Sequence, residues 1–311
     1  MFDNILGQER AKKFIINSLN QNRISHGYIF HGPSGVGKKE FAIEFAKLML
    51  NTQKIENSPD IKILNPEGAY FKVSQIRQIT VDISVRPYSN KKIYILNQAD
   101  KMTIQAQNAL LKTLEEPPSY AVIILITDNI YSLLDTIKSR CEIVRFTLLP
   151  QQEIENYLIQ KENIPKDRAR FISCFSSGIL SRALDFIYKE NIDEYRNFIV
   201  EFINTLFKQE KIPVLDKVKD MESYKENIYN ILDIMMAYFR DSLIVKEEGD
   251  EQIIINLDQI DFVKDLSRKL TYFQICKVID IIDKTSKYIK SNCNFNLSLE
   301  VMALNIQEVI K

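Results

Sequence analysis

In the first half of the chain, short uninterrupted apolar runs alternate with longer stretches whose apolar residues recur every three or four positions. Tyr28 to His31 and Lys92 to Leu96 (KIYIL) read as strands, while Ala121 to Ile126 (AVIILI), bounded by Tyr120 and Thr127, is apolar throughout. A strand with no polar face is buried on both sides, as in a parallel sheet covered by helices. Between these runs the spacing predicts helices: Lys39 to Leu50 places Phe41, Phe45 and Leu48 on one face, Ile76, Ile79 and Ile83 mark a second helix, and Thr103 to Leu114 forms a third. Strand and helix in alternation predict an α/β domain with a parallel sheet. After Leu149 and Pro150 the strand signal nearly vanishes, and Glu194 to Phe207, Lys225 to Ile244 and Leu257 to Ile289 all carry helical periodicity. The turn-like Ser176, Ser177 and Gly178 and the charged stretch Lys189 to Glu194 set off a smaller helical unit. The expected layout is therefore α/β over 1–149, a small helical domain over 150–190 and a larger all-α domain over 191–311.

Composition narrows the function classes. At 311 residues, with 45% hydrophobic and 26% charged, the chain is long and apolar enough for several folded domains and excludes intrinsic disorder. Forty-one basic residues balance 41 acidic ones, which removes the chain-wide positive excess of a dedicated DNA binder, so any nucleic-acid contact is local or shared. Cysteines stand only at 141, 174, 276 and 293, too far apart for a zinc cage of paired ligands, and no metal site is expected. Scattered thiols, no apolar segment at the start like that of a signal peptide, and no run near the ~18 apolar residues of a membrane span together point to a cytoplasmic protein.

Six of the eight glycines precede residue 70, and three of them belong to one motif: Gly32, Gly35 and Gly37, followed by Lys38. The motif follows a strand and opens a helix, the context in which small residues let backbone amides close around a phosphate while a lysine reaches its outer oxygens. The position after Lys38 should carry a hydroxyl for Mg²⁺, yet it is Lys39, a cation without acceptors. The second metal-linked element should be a pair of acids after a buried strand, but KIYIL leads into Asn97 and Gln98, with Asp100 further along. Three such losses predict slow or absent hydrolysis. Weak binding of ATP or ADP without Mg²⁺ is left open, and no cofactor is required.

These residues resemble one family, the clamp-loader ATPases of the AAA+ class. The likeness runs through Gly7 and Gln8, His26 to Phe30 (HGYIF), Ala99 to Met102 (ADKM), Asn108 to Lys112, Leu114 to Pro118 (LEEPP), Ser139 to Cys141 (SRC), Gly178 to Ala183, and the late pattern Asn292, Asn294, Leu297, Glu300. The resemblance implies an AAA+ core, a small helical lid and a helical collar through which five subunits form a ring that opens a sliding clamp and places it on primed DNA, without a membrane. Its partners would be gamma or tau and delta subunits. The losses at Lys39, Asn97 and Gln98 fit the branch whose own nucleotide chemistry has decayed; an ATP-hydrolysing gamma or tau type is the alternative. By the same resemblance, Arg140 projects toward a neighbour's ATP site as an arginine finger, the plain alternative being a surface arginine in an ordinary ion pair; Thr127 falls at the polar sensor position or caps its strand, and Arg182 matches the lid sensor or holds lid against core. Many family members carry a four-cysteine zinc module after the phosphate-loop helix, whereas Asn51 to Asn65 contains no cysteine.

Cys141 reads as a packing residue, and His26 and His31 as packing or turn residues. Arg77, Lys101 and the start of the helix near Thr103 are candidates for phosphate contacts with DNA, set against a plain role as solvated surface charge.

Overall fold

The computed structural model describes residues 1–52, 58–190, 192–208, 210–250 and 253–311. Five parallel strands form one sheet: β1 (Gly27–His31), β2 (Ile61–Leu64), β3 (Lys92–Leu96), β4 (Ala121–Thr127) and β5 (Glu142–Arg145), in the order β2-β3-β4-β1-β5. The central strand β4 and its neighbour β1 pair Ile29 with Leu125 and His31 with Thr127, and β5 joins the far edge with Ile29 opposite Ile143. All seven residues of β4 are buried, as its unbroken apolar run requires. Sequence periodicity did not reveal β2 (IKIL) and β5 (EIVR). They are the sheet's edges, where one side of the strand meets solvent and polar residues dilute the pattern.

Helices cover both faces. On one side α1 (Glu9–Asn20) and α2 (Lys38–Leu50) enclose an aromatic core in which Phe41 stacks on Phe2 at 4.4 Å and meets Phe30 and Phe146 edge-on at 5.6 and 5.1 Å. On the other, α3 (Val73–Asp82) and α4 (Ile104–Glu115) bring Ile76, Ile79, Leu110 and Leu114 onto Tyr94 and Leu125. A short α5 (Asp135–Lys138) leads into β5. The segment 51–65, the place of the absent cysteine module, contributes β2; its residues 53–57 lie outside those described.

The chain divides into two compact units, one of 1–154 with 178–182 and one of 155–177 with 183–311. Segment 150–190, expected as a domain of its own, is thus shared between the two. The second unit is helical: α6 (Gln151–Lys161) enters it, followed by α7 (Lys166–Phe175), α8 (Leu180–Tyr188), α9 (Ile192–Phe207), α10 (Lys211–Asp220), α11 (Ile228–Lys246), α12 (Ile260–Lys269), α13 (Tyr272–Lys290) and α14 (Phe295–Val309). The expected helix Leu257 to Ile289 is in fact two, because Leu270 turns extended and Thr271 starts α13 with a capping box in which its side chain accepts from the Gln274 amide. Likewise the first residues of the stretch from Lys225 form a 3-10 turn, and α11 begins only at Ile228.

The late asparagine pattern also has a local cause. Asn292 takes a left-handed φ of 58° that ends α13, and Asn294 caps α14 by accepting from the Leu297 amide at 3.0 Å. At the heart of this unit Arg196 is buried beneath Phe171, 4.1 Å from its ring, and its guanidinium grips Asp258 at 2.5 and 2.8 Å.

Candidate functional site

The loop between β1 and α2 sits at the carboxyl ends of β1 and its neighbour β4, where parallel sheets of this kind receive ligands. Two of its glycines, Gly32 and Gly35, are required by close approach. A Cβ on Gly32 would stand 2.3 Å from the Phe146 carbonyl oxygen, and Gly35, at φ 77°, has Ser181 Oγ and Ile179 Cγ2 where a side chain would be.

Lys38 opens α2 with its side chain only 5% exposed. Its ammonium donates to the carbonyl oxygens of Gly32 at 2.7 Å and Pro33 at 2.6 Å and to Asp128 Oδ1 at 2.8 Å. Those three acceptors match its three N–H groups. Asp128 follows β4, so the His31–Thr127 register is what sets it beside the loop that follows β1. Nothing in the sequence singled out Asp128, since 90 positions separate it from Lys38. Burial, and then the charges of Arg145 and Lys38, hold His31 below the ordinary histidine range.

The other positions named from sequence lie around this loop. Lys39 is half-buried in the first turn of α2. At the end of β3, the Asn97 side chain donates to the Asn65 side-chain oxygen at 3.0 Å, and Gln98 is exposed in a left-handed turn. Neither presents a carboxylate. Thr127 is fully buried; its hydroxyl lies 3.2 Å from Asp100, 2.9 Å from the Asn129 carbonyl, and accepts from the Asn129 amide at 3.1 Å. Arg182 is half-buried and follows Ser181, whose hydroxyl donates to the Gly35 carbonyl at 3.1 Å.

Arg140 lies elsewhere. It precedes β5, whose first residues pair with Tyr28 at the start of β1, so it flanks the amino ends of the strands. Its side chain, 35% exposed, donates to the Thr136 carbonyl at 2.9 Å and to Ser139 Oγ at 3.2 Å, and pairs with Glu115 of the LEEPP run at 2.9 Å. Ser25, His26, Glu115, Arg140 and Glu142 line a cleft of about 540 Å³ at this end. Next to Arg140, Cys141 sits 2.8 Å from where a Cβ on Gly27 would be, and burial, with a smaller contribution from Glu142, pushes its thiol up to about 12. A half-buried thiol held neutral packs; it does not attack.

Of the candidates for DNA contact, Arg77 is exposed on α3, Lys101 is half-buried, and Thr103 caps α4 by accepting from the Ala106 amide at 3.2 Å. Among the described residues no three metal-binding side chains gather, and no helix is long and apolar enough to cross a membrane.

Two family models match the chain, "DNA polymerase III, delta subunit" over residues 7–150 and "DNA polymerase III, delta subunit, C terminal" over 189–308. A relative from Bacillus subtilis (strain 168), DNA polymerase III subunit delta', is 30% identical across 97% of this chain and 96% of its own. The chain belongs to the delta-prime family of bacterial DNA polymerase III clamp-loader subunits. The tau subunit of the same bacterium is also similar, at 25% identity over 98% of this chain and 61% of tau, so the family shares its frame with the gamma and tau subunits. Among solved structures, a gamma subunit-related protein from Thermotoga maritima is similar at a TM-score of 0.43 and 19% identity, covering 98% of this chain and 99% of that one.

Proposed function

We propose that this chain is the non-hydrolysing delta-prime subunit of a clamp loader, and that it donates Arg140 to the ATP site of a neighbouring subunit. The observation that carries this reading is the separation of Arg140 from the chain's own phosphate loop. Arg140 flanks the amino ends of the strands, whereas Lys38 lies at their carboxyl ends, so the length of a five-residue strand, about 17 Å, intervenes. An arginine on that edge serves a ligand outside its own chain. Its bonds to Thr136, Ser139 and the half-exposed Glu115 are ones a new anionic partner can replace, since an exposed pair of this kind is worth about 1 kcal/mol or less.

The chain's own site favours no hydrolysis. With an ammonium at Lys39 and amides at Asn97 and Gln98, no hydroxyl or carboxylate is offered to Mg²⁺ at the positions where phosphoryl transfer needs them. Nucleotide is not required, and any ATP or ADP held there would be an inert ligand without Mg²⁺. In this reading 191–311 is the collar, the partners are gamma or tau and delta subunits in a five-membered ring, and the sliding clamp and primed DNA are met through that assembly.

The test is reconstitution with the partner subunits. An arginine finger contributes about 10³- to 10⁵-fold in rate, so Arg140→Ala should remove hydrolysis at the interface it faces while the assembly still forms. Equal DNA-stimulated ATPase with Arg140→Ala would sink the role. If the isolated chain instead hydrolyses ATP with Mg²⁺, and Lys38→Ala abolishes that activity, the gamma or tau type reading replaces this one.

A further inference from the structure

The losses at Lys39, Asn97 and Gln98 account for absent hydrolysis, but not for absent binding. Loop amides, a helix start and a lysine can hold phosphates without a metal. Whether they do so depends on Lys38, and all three of its N–H groups are already taken, one by a carboxylate. The pair is unequal: Lys38 is 5% exposed and Asp128 47%, so the acid is the solvent-side partner of an enclosed cation. Asp128 is itself held from behind, its amide donating to Asp100 Oδ1 at 3.3 Å. A second element closes on the same loop. Ser181 Oγ donates to the Gly35 carbonyl, and Ser181 with Ile179 occupies the space a side chain at Gly35 would take.

We propose that Asp128 is an internal stand-in for phosphate, locking the loop on Lys38 so that the terminal phosphates of a nucleoside di- or triphosphate are excluded. This rests on the reading of the loop as a decayed nucleotide site. An entering phosphate must displace a carboxylate from the only cation buried in the loop, and then share the space with that displaced like charge. Replacing Asp128 removes both obstacles at once. The lock is thus a single side chain, contributed by the residue that follows β4 and distinct from the metal-ligand positions on α2 and after β3.

The experiment titrates the purified full chain with ADP by calorimetry, in Mg²⁺ and in EDTA. Asp128→Asn keeps the shape and removes the charge; Asp128→Ala removes the acceptor as well. Either variant should bind ADP at least tenfold more tightly than the native chain, equally well in EDTA, and the gain should disappear when Lys38→Ala is added. Thermal denaturation shows which variants are folded, and the asparagine variant serves if the alanine one is not. No gain in a folded variant overturns the lock, as does a gain that survives Lys38→Ala, or a native chain that already binds ADP as tightly as the variants. Binding that becomes Mg²⁺-dependent and leads to hydrolysis would instead sustain the lock and overturn the reading of a decayed site. Neither result depends on Arg140, which is tested only in the assembly.

Discussion

Gly27→Ala is expected to press on the very residues that carry Arg140, and a second substitution should relieve it. A methyl at Gly27 would lie 2.8 Å from Cys141 Sγ, 3.3 Å from the Arg140 carbonyl oxygen and 3.4 Å from Leu114 Cδ2. Against an ordinary contact of about 3.5–4.0 Å, only the sulfur must retreat by a large fraction of an ångström, and it is half-buried. Overpacking of this kind costs about 1–3 kcal/mol, offset by the ~0.5–1 kcal/mol gained when alanine replaces glycine within a strand, for a net loss of about 1–2 kcal/mol. Cys141→Ala alone empties a small buried volume and should cost about 1 kcal/mol. In the double variant the new methyl occupies the room the sulfur leaves, so the two losses should not add. The expected coupling is about 1.5 kcal/mol in favour of the pair. The chain has no tryptophan, so urea unfolding followed by far-UV ellipticity is the direct assay. Losses that simply add, within about 0.5 kcal/mol, would refute the contact and with it the placing of Cys141 and Arg140 against the start of β1.

Acid sensitivity should trace partly to Asp82. Burial alone would raise this carboxyl, but Lys62 at 2.7 Å, the Tyr94 hydroxyl and Lys92 at 3.3 Å outweigh it and hold it at about 2, against an ordinary 3.8. Because the folded value is depressed, its contribution is full above pH ~4 and is lost as the pH falls toward about 2. Allowing for partial exposure, Asp82→Asn should cost about 1 kcal/mol at neutral pH and nothing near pH 2; an undiminished difference in acid would contradict the assignment. The thiols should differ as their surroundings do. In the native protein at mildly alkaline pH, an aromatic disulfide reagent should modify the exposed Cys293 readily and the half-buried Cys141 much more slowly, the difference vanishing on unfolding. Peptide mapping that finds both modified at one rate in the native protein would contradict the burial that raises the Cys141 thiol.

What the sequence alone determined follows from a single physical fact, that an apolar pattern reports which sides of a segment are buried. β1, β3 and β4 are buried on both faces and could be read directly, as could α2, α3 and α4 and the phosphate loop between a strand and a helix. Lys39, Asn97 and Gln98 could be picked out for a different reason: their places are defined by adjacency along the chain to the phosphate loop and to β3. The edge strands β2 and β5, each open to solvent on one side, were not, and neither was the break at Leu270 inside a continuous helical pattern, where a local capping contest decides.

Tertiary structure decided which of these pieces meet. Strand order and register bring Asp128 to Lys38 across 90 positions, and fold Glu115 against Arg140 at the other end of the sheet. Periodicity names a face as buried but not the face it is buried against, and a register shift of one residue would carry Asp128 away from the loop. That Arg140 and the phosphate loop stand at opposite ends of the same strands is a property of the parallel sheet, because every strand in it begins at one edge and ends at the other.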